Sequence, residues 1–138
     1  MPTSSSRTLT DFDFRRLDAL FERFRAHLKP PPTLSILERE LRHAAIVKPT
    51  EVPASVVTMN SKVEVFFPDT DERRALTLAF PSLAEIDVGR VSVLAPLGTA
   101  LIGCREGEEV SWQTPTGPRW LQVERVIYQP EAAGRFDL

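Results

Sequence analysis

The sequence predicts an α+β fold: a short N-terminal antiparallel helical hairpin followed by a mostly antiparallel β-domain with one short helix. Three observations predict it. Apolar residues recur at helical spacing up to Pro49, and after Pro53 the period moves towards two. The run Lys29-Pro30-Pro31-Pro32 interrupts the first part, because three consecutive prolines cannot continue a helix. Pro96, Gly98 and Gly103 bound a short apolar helical segment in the second part.

Phe14, Leu17, Phe21, Phe24 and Leu28 recur at steps of three and four, which places them on one face of a first helix. Thr10 with Asp13 reads as a capping box, and Leu9 with Phe14 as a hydrophobic staple. Thr33 is the expected N-cap of a second helix, with Leu34, Leu37, Leu41 and Ala44 as its apolar stripe, Ile46 and Val47 near its end, and Pro49 as its stop. A short connection makes the two helices antiparallel neighbours, and arms of roughly 15 to 18 residues reach about 25 Å.

Beyond Pro53, Val63, Val65 and Phe67 alternate with Lys62, Glu64 and Phe66, and Leu76, Leu78 and Phe80 alternate in a returning strand across the polar turn Asp69-Thr70-Asp71-Glu72. Further strands are expected over 91–94, 109–114 and 120–128, with the short helix over 97–102. A slip in the alternation of Leu121, Val123, Val126 and Tyr128 predicts a bulge. The resulting organisation is a flexible leader over residues 1–8, the hairpin over 9–49 and the β-domain over 50–138.

The chain has 138 residues and a formal net charge of −2. That size suits one domain, or one small domain with an appendage. A near-neutral balance argues against direct duplex or sequence-specific DNA binding, which needs a basic face, and favours a protein partner. The single cysteine, Cys104, cannot form an internal disulfide, so the cytoplasm is the expected compartment. No apolar run approaches the ~20 residues of a membrane span, and the leader lacks the apolar centre of a signal peptide.

Candidate chemistry is sparse. Asp69, Asp71 and Glu72 read as a solvated turn neutralised by Arg73 and Arg74. Asp11 and Asp13 are explained by capping and the helix dipole. His27 and His43 have no zinc-spaced partners. Arg105 beside Cys104 raises the idea of an activated thiol, against which a small structural residue is the stronger reading. Trp112 and Trp120 form either an exposed aromatic patch or a cross-strand pair. No phosphate-binding glycine loop is present. Catalytic, metal and cofactor sites are therefore expected to be absent.

The segment Ala95-Pro96-Leu97-Gly98-Thr99-Ala100-Leu101-Ile102-Gly103, followed by Gly107-Glu108-Glu109-Val110, resembles the C-terminal domain of the bacterial Gre transcript-cleavage factors. Tyr128-Gln129-Pro130-Glu131-Ala132-Ala133-Gly134 narrows the resemblance to the Rnk branch of that superfamily, the regulators of nucleoside diphosphate kinase. Val57-Thr58-Met59-Asn60-Ser61 is a third block, and the three stand in family order across residues 53–138.

The resemblance implies an FKBP-like β-domain and a bacterial, non-enzymatic transcription regulator that binds RNA polymerase. Docking at the rim of the secondary channel maps onto Leu94, Ala95, Pro96 and Leu97, with Ala95 where Gre factors usually carry Ser. Gre factors deliver carboxylates from the tip of a long coiled coil to a metal ion in the polymerase. The tip here, Ala26-His27-Leu28-Lys29-Pro30-Pro31-Pro32-Thr33, has none, so cleavage does not carry over. The link to nucleoside diphosphate kinase is read as a regulatory outcome. Two other readings are an FKBP-like prolyl isomerase, with Phe66, Phe67, Phe80, Trp112 and Tyr128 lining an apolar pocket, and an adaptor that binds the kinase directly.

Overall fold

The computed structural model describes residues 7–26 and 32–138. Strand β1 (Thr8–Thr10) leads directly into helix α1 (Asp11–Arg25), helix α2 (Thr33–Arg42) follows, and β2 (Ala45–Val47) returns to pair with β1 in parallel, Leu9 opposite Ile46. Strands β3 (Lys62–Phe67), β4 (Glu72–Ala79), β5 (Arg90–Ser92), β6 (Glu109–Thr114) and β7 (Gly117–Tyr128) form one sheet in the order β5-β4-β3-β7-β6. Its neighbours run antiparallel except β4 and β5. Helix α3 (Pro96–Leu101) lies between β5 and β6 in sequence.

Helix α1 starts at the predicted cap, with the Thr10 half of the expected capping box formed and the Asp13 carboxylate turned to Met59 N–H and Arg16 instead. Thr10 is extended at φ −80°, and its hydroxyl accepts from the Asp13 N–H at 3.0 Å. Leu17, Leu20 and Phe21 are buried, and Phe14 and Phe24 pack partly buried against the same core. On α2 the buried stripe is Leu34, Leu37 and Leu41, three and four residues apart. Arg25, near the end of α1, pairs with both Glu22 and Glu38. Leu28 and His27, with the proline run through Pro31, lie outside the described residues.

Three expectations change. The leader was expected to reach Thr8, yet Thr8 is a buried member of β1. Arg7 is fastened too, donating to the Thr99 and Ile102 carbonyls at 2.6 and 2.9 Å and to Glu40 at 3.2 Å. Helix α2 ends at Arg42 instead of continuing to Pro49, because the β-branched Ile46 and Val47 pair with Leu9 and Thr10. Trp112 and Trp120 do not pair. Their registers are Trp112 opposite Arg119 and Trp120 opposite Ser111, so they occupy opposite sheet faces. The expected bulge is present and doubled: β7 gains one extra residue against β3 between Tyr128 and Val126, and another between Arg125 and Val123.

A single hydrophobic core joins the helices to the sheet. Leu17, Leu37 and Leu41 belong to the same cluster as Val57, Met59, Val65, Leu101, Ile102 and Leu121. The helical segment is therefore packed on the β-part and closes its core, which a freely projecting arm would not do.

Candidate functional site

The corner predicted to dock, residues 94–97, is built by β5 and the start of α3. Val93 N–H donates to the Ala79 carbonyl at 2.9 Å, which holds the end of β5 on β4. The Ser92 hydroxyl then accepts from Leu94 N–H at 3.0 Å, and the Ser92 carbonyl accepts from Ala95 N–H at 3.0 Å, which turns the chain. Ala95 is extended (φ −75°, ψ 150°) and Pro96 takes the first helical position, where its missing N–H costs nothing. The Ala95 carbonyl accepts from Thr99 N–H at 2.9 Å, and the buried Thr99 hydroxyl donates to the Val93 carbonyl at 2.6 Å.

Gly98 is required by close approach. A Cβ there would lie 1.9 Å from the Ser92 carbonyl oxygen. Gly103, at the other end of α3, has φ +78°, and its Cβ would meet Arg7 Cβ at 2.8 Å. The four corner residues differ in what they offer. Leu94 is buried, Ala95 and Leu97 are half-buried and packed on the core, and Pro96 is exposed. The Thr33 hydroxyl, at the start of α2, donates to the Leu94 carbonyl. The corner and the beginning of the second helix are thus one joined surface.

The three sequence blocks meet in space. Val57 N–H donates to the Cys104 carbonyl and Gly103 N–H to the Val57 carbonyl, both at 2.8 Å. Buried Gln129 donates to the carbonyls of Pro53 and Val56 at 2.8 Å each and accepts from Ala132 N–H at 3.2 Å. Thr58 donates to Glu131 at 2.7 Å and shares a hydrogen bond of 2.8 Å with the Ser61 hydroxyl. Thr58, Ser61 and Gln129 are buried and satisfied, so their pattern is a structural requirement of the joint.

Sequence reasoning missed one residue of this joint. Asp13 does more than sit in the first turn of α1: it is buried, and its Oδ2 accepts from Met59 N–H at 3.0 Å. Its Oδ1 accepts from Arg16, which also donates to the Leu138 backbone oxygen at 2.7 Å. The Arg16 guanidinium lies 4.1 Å from the Phe12 ring centroid and 4.8 Å from that of Phe80. Burial is the main force on Asp13 and lifts its pKa from 3.8 to about 6, against the Arg16 and Met59 hydrogen bonds that pull it down. Between those values the folded chain holds a proton that the unfolded chain releases. Stability from this group is therefore full below pH ~4 and declines as pH rises through ~6. Asp13→Asn should flatten that decline, worth up to about 3 kcal/mol, in urea melts taken from pH 4 to 7. An unchanged slope would show that Asp13 does not titrate in this window.

The remaining candidates carry no chemistry. Burial pushes the Cys104 thiol up to about 11, and its Sγ contacts the Ala100 carbonyl at 3.1 Å, so it is an inert core residue. Asp69 forms a two-point ion pair with Arg119 at 3.1 and 3.2 Å, which holds its carboxyl below the usual range. Arg74 pairs with Glu72 at 3.5 Å. His43 is exposed at the end of α2, its Nδ1 2.9 Å from the Arg39 carbonyl. Among the described residues no group of three His, Cys, Asp or Glu side chains is placed to hold a metal ion. No helix among them is long and apolar enough to cross a membrane. The aromatic residues do not converge on a pocket. Phe67 packs edge-on to Trp112 with centroids 6.1 Å apart, Phe66 lies under Arg73, and Phe80 under Arg16.

Comparison with known proteins gives a consistent result. Residues 52–128 match the family model for the transcription elongation factor GreA/GreB C-terminal domain. A regulator of nucleoside diphosphate kinase from Escherichia coli K12 is 37% identical over 129 residues, 93% of this chain and 93% of that protein. A transcription elongation factor GreA from Vibrio parahaemolyticus is 34% identical over 93 residues, 67% of this chain and 59% of that protein. Among solved structures, a prokaryotic transcription elongation factor GreA/GreB from Nitrosomonas europaea superposes with a TM-score of 0.74 at 33% identity, covering 91% of this chain and 100% of that one. These relatives are regulators and elongation factors, not catalytic enzymes.

Proposed function

The chain belongs to the GreA/GreB family of transcription elongation factors, on the branch of the regulators of nucleoside diphosphate kinase, and we propose that it docks on RNA polymerase near the rim of the secondary channel without stimulating transcript cleavage. In this reading residues 50–138 are an FKBP-like docking domain, and residues 9–49 are a short coiled-coil hairpin beside it. The observation that carries the docking half is the corner at Pro96. Pro96 is exposed, while the backbone around it is fixed by Ser92, Thr99 and Thr33. A rigid exposed proline loses little conformational entropy on binding.

Two features support the absence of cleavage. The sequence between Ala26 and Thr33 contains no Asp or Glu to hold a hard metal ion. Helices of 15 and 10 residues span only about 22 and 15 Å at the usual helical rise. The start of α2 is also tied to the docking corner through Thr33 and Leu94, which suits a compact factor over a reaching one.

Pro96→Ala is the clean probe of the corner, because Leu94 and Leu97 also pack on the core. The variant should keep its thermal midpoint and bind core RNA polymerase at least about fivefold more weakly in biolayer interferometry. Undiminished binding removes the corner from the interface. The link to nucleoside diphosphate kinase is then a consequence of transcriptional regulation. Capture of the purified kinase by the purified protein, with no polymerase present, would favour a direct adaptor instead.

A further inference from the structure

The last carbonyls of a helix lack donors from a following turn and must be satisfied from elsewhere. At the end of α3 those of Thr99 and Ile102 are satisfied by a residue far away in the chain. Their donors four positions on are already taken: Gly103 N–H donates to the Val57 carbonyl at 2.8 Å, and Glu106 N–H to the Ser55 carbonyl at 3.0 Å. Arg7 fills both places through one nitrogen. Its Nη1 donates to the Thr99 carbonyl at 2.6 Å and to the Ile102 carbonyl at 2.9 Å. Thr99 and Ile102 are buried, so removing that cation leaves two acceptors without a partner.

Arg7 is itself held by the helical segment. Its Nε donates to Glu40 of α2 at 3.2 Å, and its carbonyl accepts from Ala45 N–H at the start of β2 at 2.8 Å. Its side chain is only 16% exposed. At the opposite end of α3, the Thr33 hydroxyl of α2 donates to the Leu94 carbonyl. A helix of six residues is thus gripped at both ends by the segment that carries α1 and α2. Thr99 joins the two grips. Its carbonyl is on Arg7, its N–H is on the Ala95 carbonyl just ahead of Pro96, and its hydroxyl is on the Val93 carbonyl.

We infer that Arg7 and Thr33 are positioning residues, which hold α3 from the helical segment so that this segment sets the geometry of the Pro96 corner. The inference rests on the polymerase-docking reading above and adds the residues through which the hairpin controls the docking site.

The test uses the full chain and has a readout that needs no polymerase. Cys104, the single cysteine, is buried at the same end of α3, with its Sγ 3.1 Å from the Ala100 carbonyl. Its rate of labelling by dithionitrobenzoate reports how often that end opens. Arg7→Met keeps the apolar stem and removes the donors. It should label at least about tenfold faster, because hydrogen bonds from a charged donor are lost. The faster rate should be flat in low urea, as expected of a local opening that exposes little surface. The same variant should bind core RNA polymerase at least about threefold more weakly, since the corner is no longer held ready. Arg7→Lys should recover most of both effects, because a single nitrogen serves both carbonyls.

An unchanged labelling rate in Arg7→Met overturns the clamp. So does a rate that climbs steeply with urea, which would make Arg7 a contributor to global stability only, and so does an Arg7→Lys protein that behaves as Arg7→Met. Faster labelling with wild-type polymerase affinity, beside weakened Pro96→Ala, overturns the positioning role and leaves the docking reading intact. A wild-type protein that does not bind polymerase overturns both. Should Arg7→Met fail to fold, Thr33→Val decides. This variant keeps the side-chain shape and removes the donor at the other grip. It should bind polymerase at least about threefold more weakly at an unchanged urea midpoint, and wild-type affinity overturns the inference.

Discussion

Gly98→Ala is expected to be the most damaging single-methyl change in the protein. The added Cβ would stand 1.9 Å from the Ser92 carbonyl oxygen, 2.7 Å from its carbon and 3.0 Å from Val93 Cα. All three are backbone atoms, so no side chain can rotate away. Relief requires α3 to lift off the end of β5. Doing so breaks the Thr99-to-Val93 hydrogen bond and loosens Leu101 and Ile102, both fully buried. Overpacking a core typically costs about 1–3 kcal/mol, and the loss of a buried hydrogen bond adds about 1 kcal/mol. Alanine favours a helix over glycine by no more than ~1 kcal/mol, which cannot offset this. Urea denaturation should show a loss of about 3 kcal/mol or more, or no folded state. The same variant should lose polymerase binding, because Pro96 stands on the displaced turn. A melt within 1 kcal/mol of wild type would mean that α3 is not seated as described.

Phe21→Ala should cost about 3–5 kcal/mol. Phe21 is 4% exposed, and its cluster runs through Leu37 and Leu41 of α2 into Val57, Met59 and Leu101. Because that core is shared, the effect should be global. Far-UV circular dichroism, which sees the helices, and tryptophan fluorescence, which sees Trp112 at the sheet end, should melt together at a lower urea midpoint. Separate transitions, with the fluorescence midpoint unmoved, would show that the helices and the sheet unfold independently.

Much of this architecture was legible in the sequence because it is local. The Thr10 cap, the three-and-four spacing of Leu34, Leu37 and Leu41, and the interrupted alternation in β7 each depend on residues within a few positions of one another. What escaped depends on pairings distant in sequence. Thr8 reads as part of a polar leader until Ala45 supplies a strand partner. Ile46 and Val47 read as the end of a helix until β1 is beside them. Trp112 and Trp120 flank a turn, but a register fixed residue by residue places them on opposite faces. Asp13 fits the capping pattern, and nothing near it in sequence shows that Met59 N–H, 46 residues on, is waiting for its carboxylate.

The candidate site divides along the same line. Pro96 and the glycine at position 98 were visible as punctuation, and the structure gives the reason for the glycine in the Ser92 carbonyl. That Leu94 and Leu97 contribute to the core, leaving Pro96 as the exposed member, depends on how α3 packs and carries no local signature. The exposure of Leu83, Ile86 and Val88 between β4 and β5 likewise had no signal in the sequence. An aliphatic residue looks the same in a sequence whether it is inside or outside.

The most direct test of the central claim is a transcript-cleavage titration on backtracked elongation complexes. Added alone, the protein should leave the RNA uncut. Added with a Gre cleavage factor, it should suppress that factor's cleavage in a concentration-dependent manner, and Pro96→Ala should shift the suppression to higher concentration. Factor-dependent cleavage by the protein itself, at a level comparable to a Gre factor, would contradict the account, as would Gre-stimulated cleavage that stays constant at saturating protein.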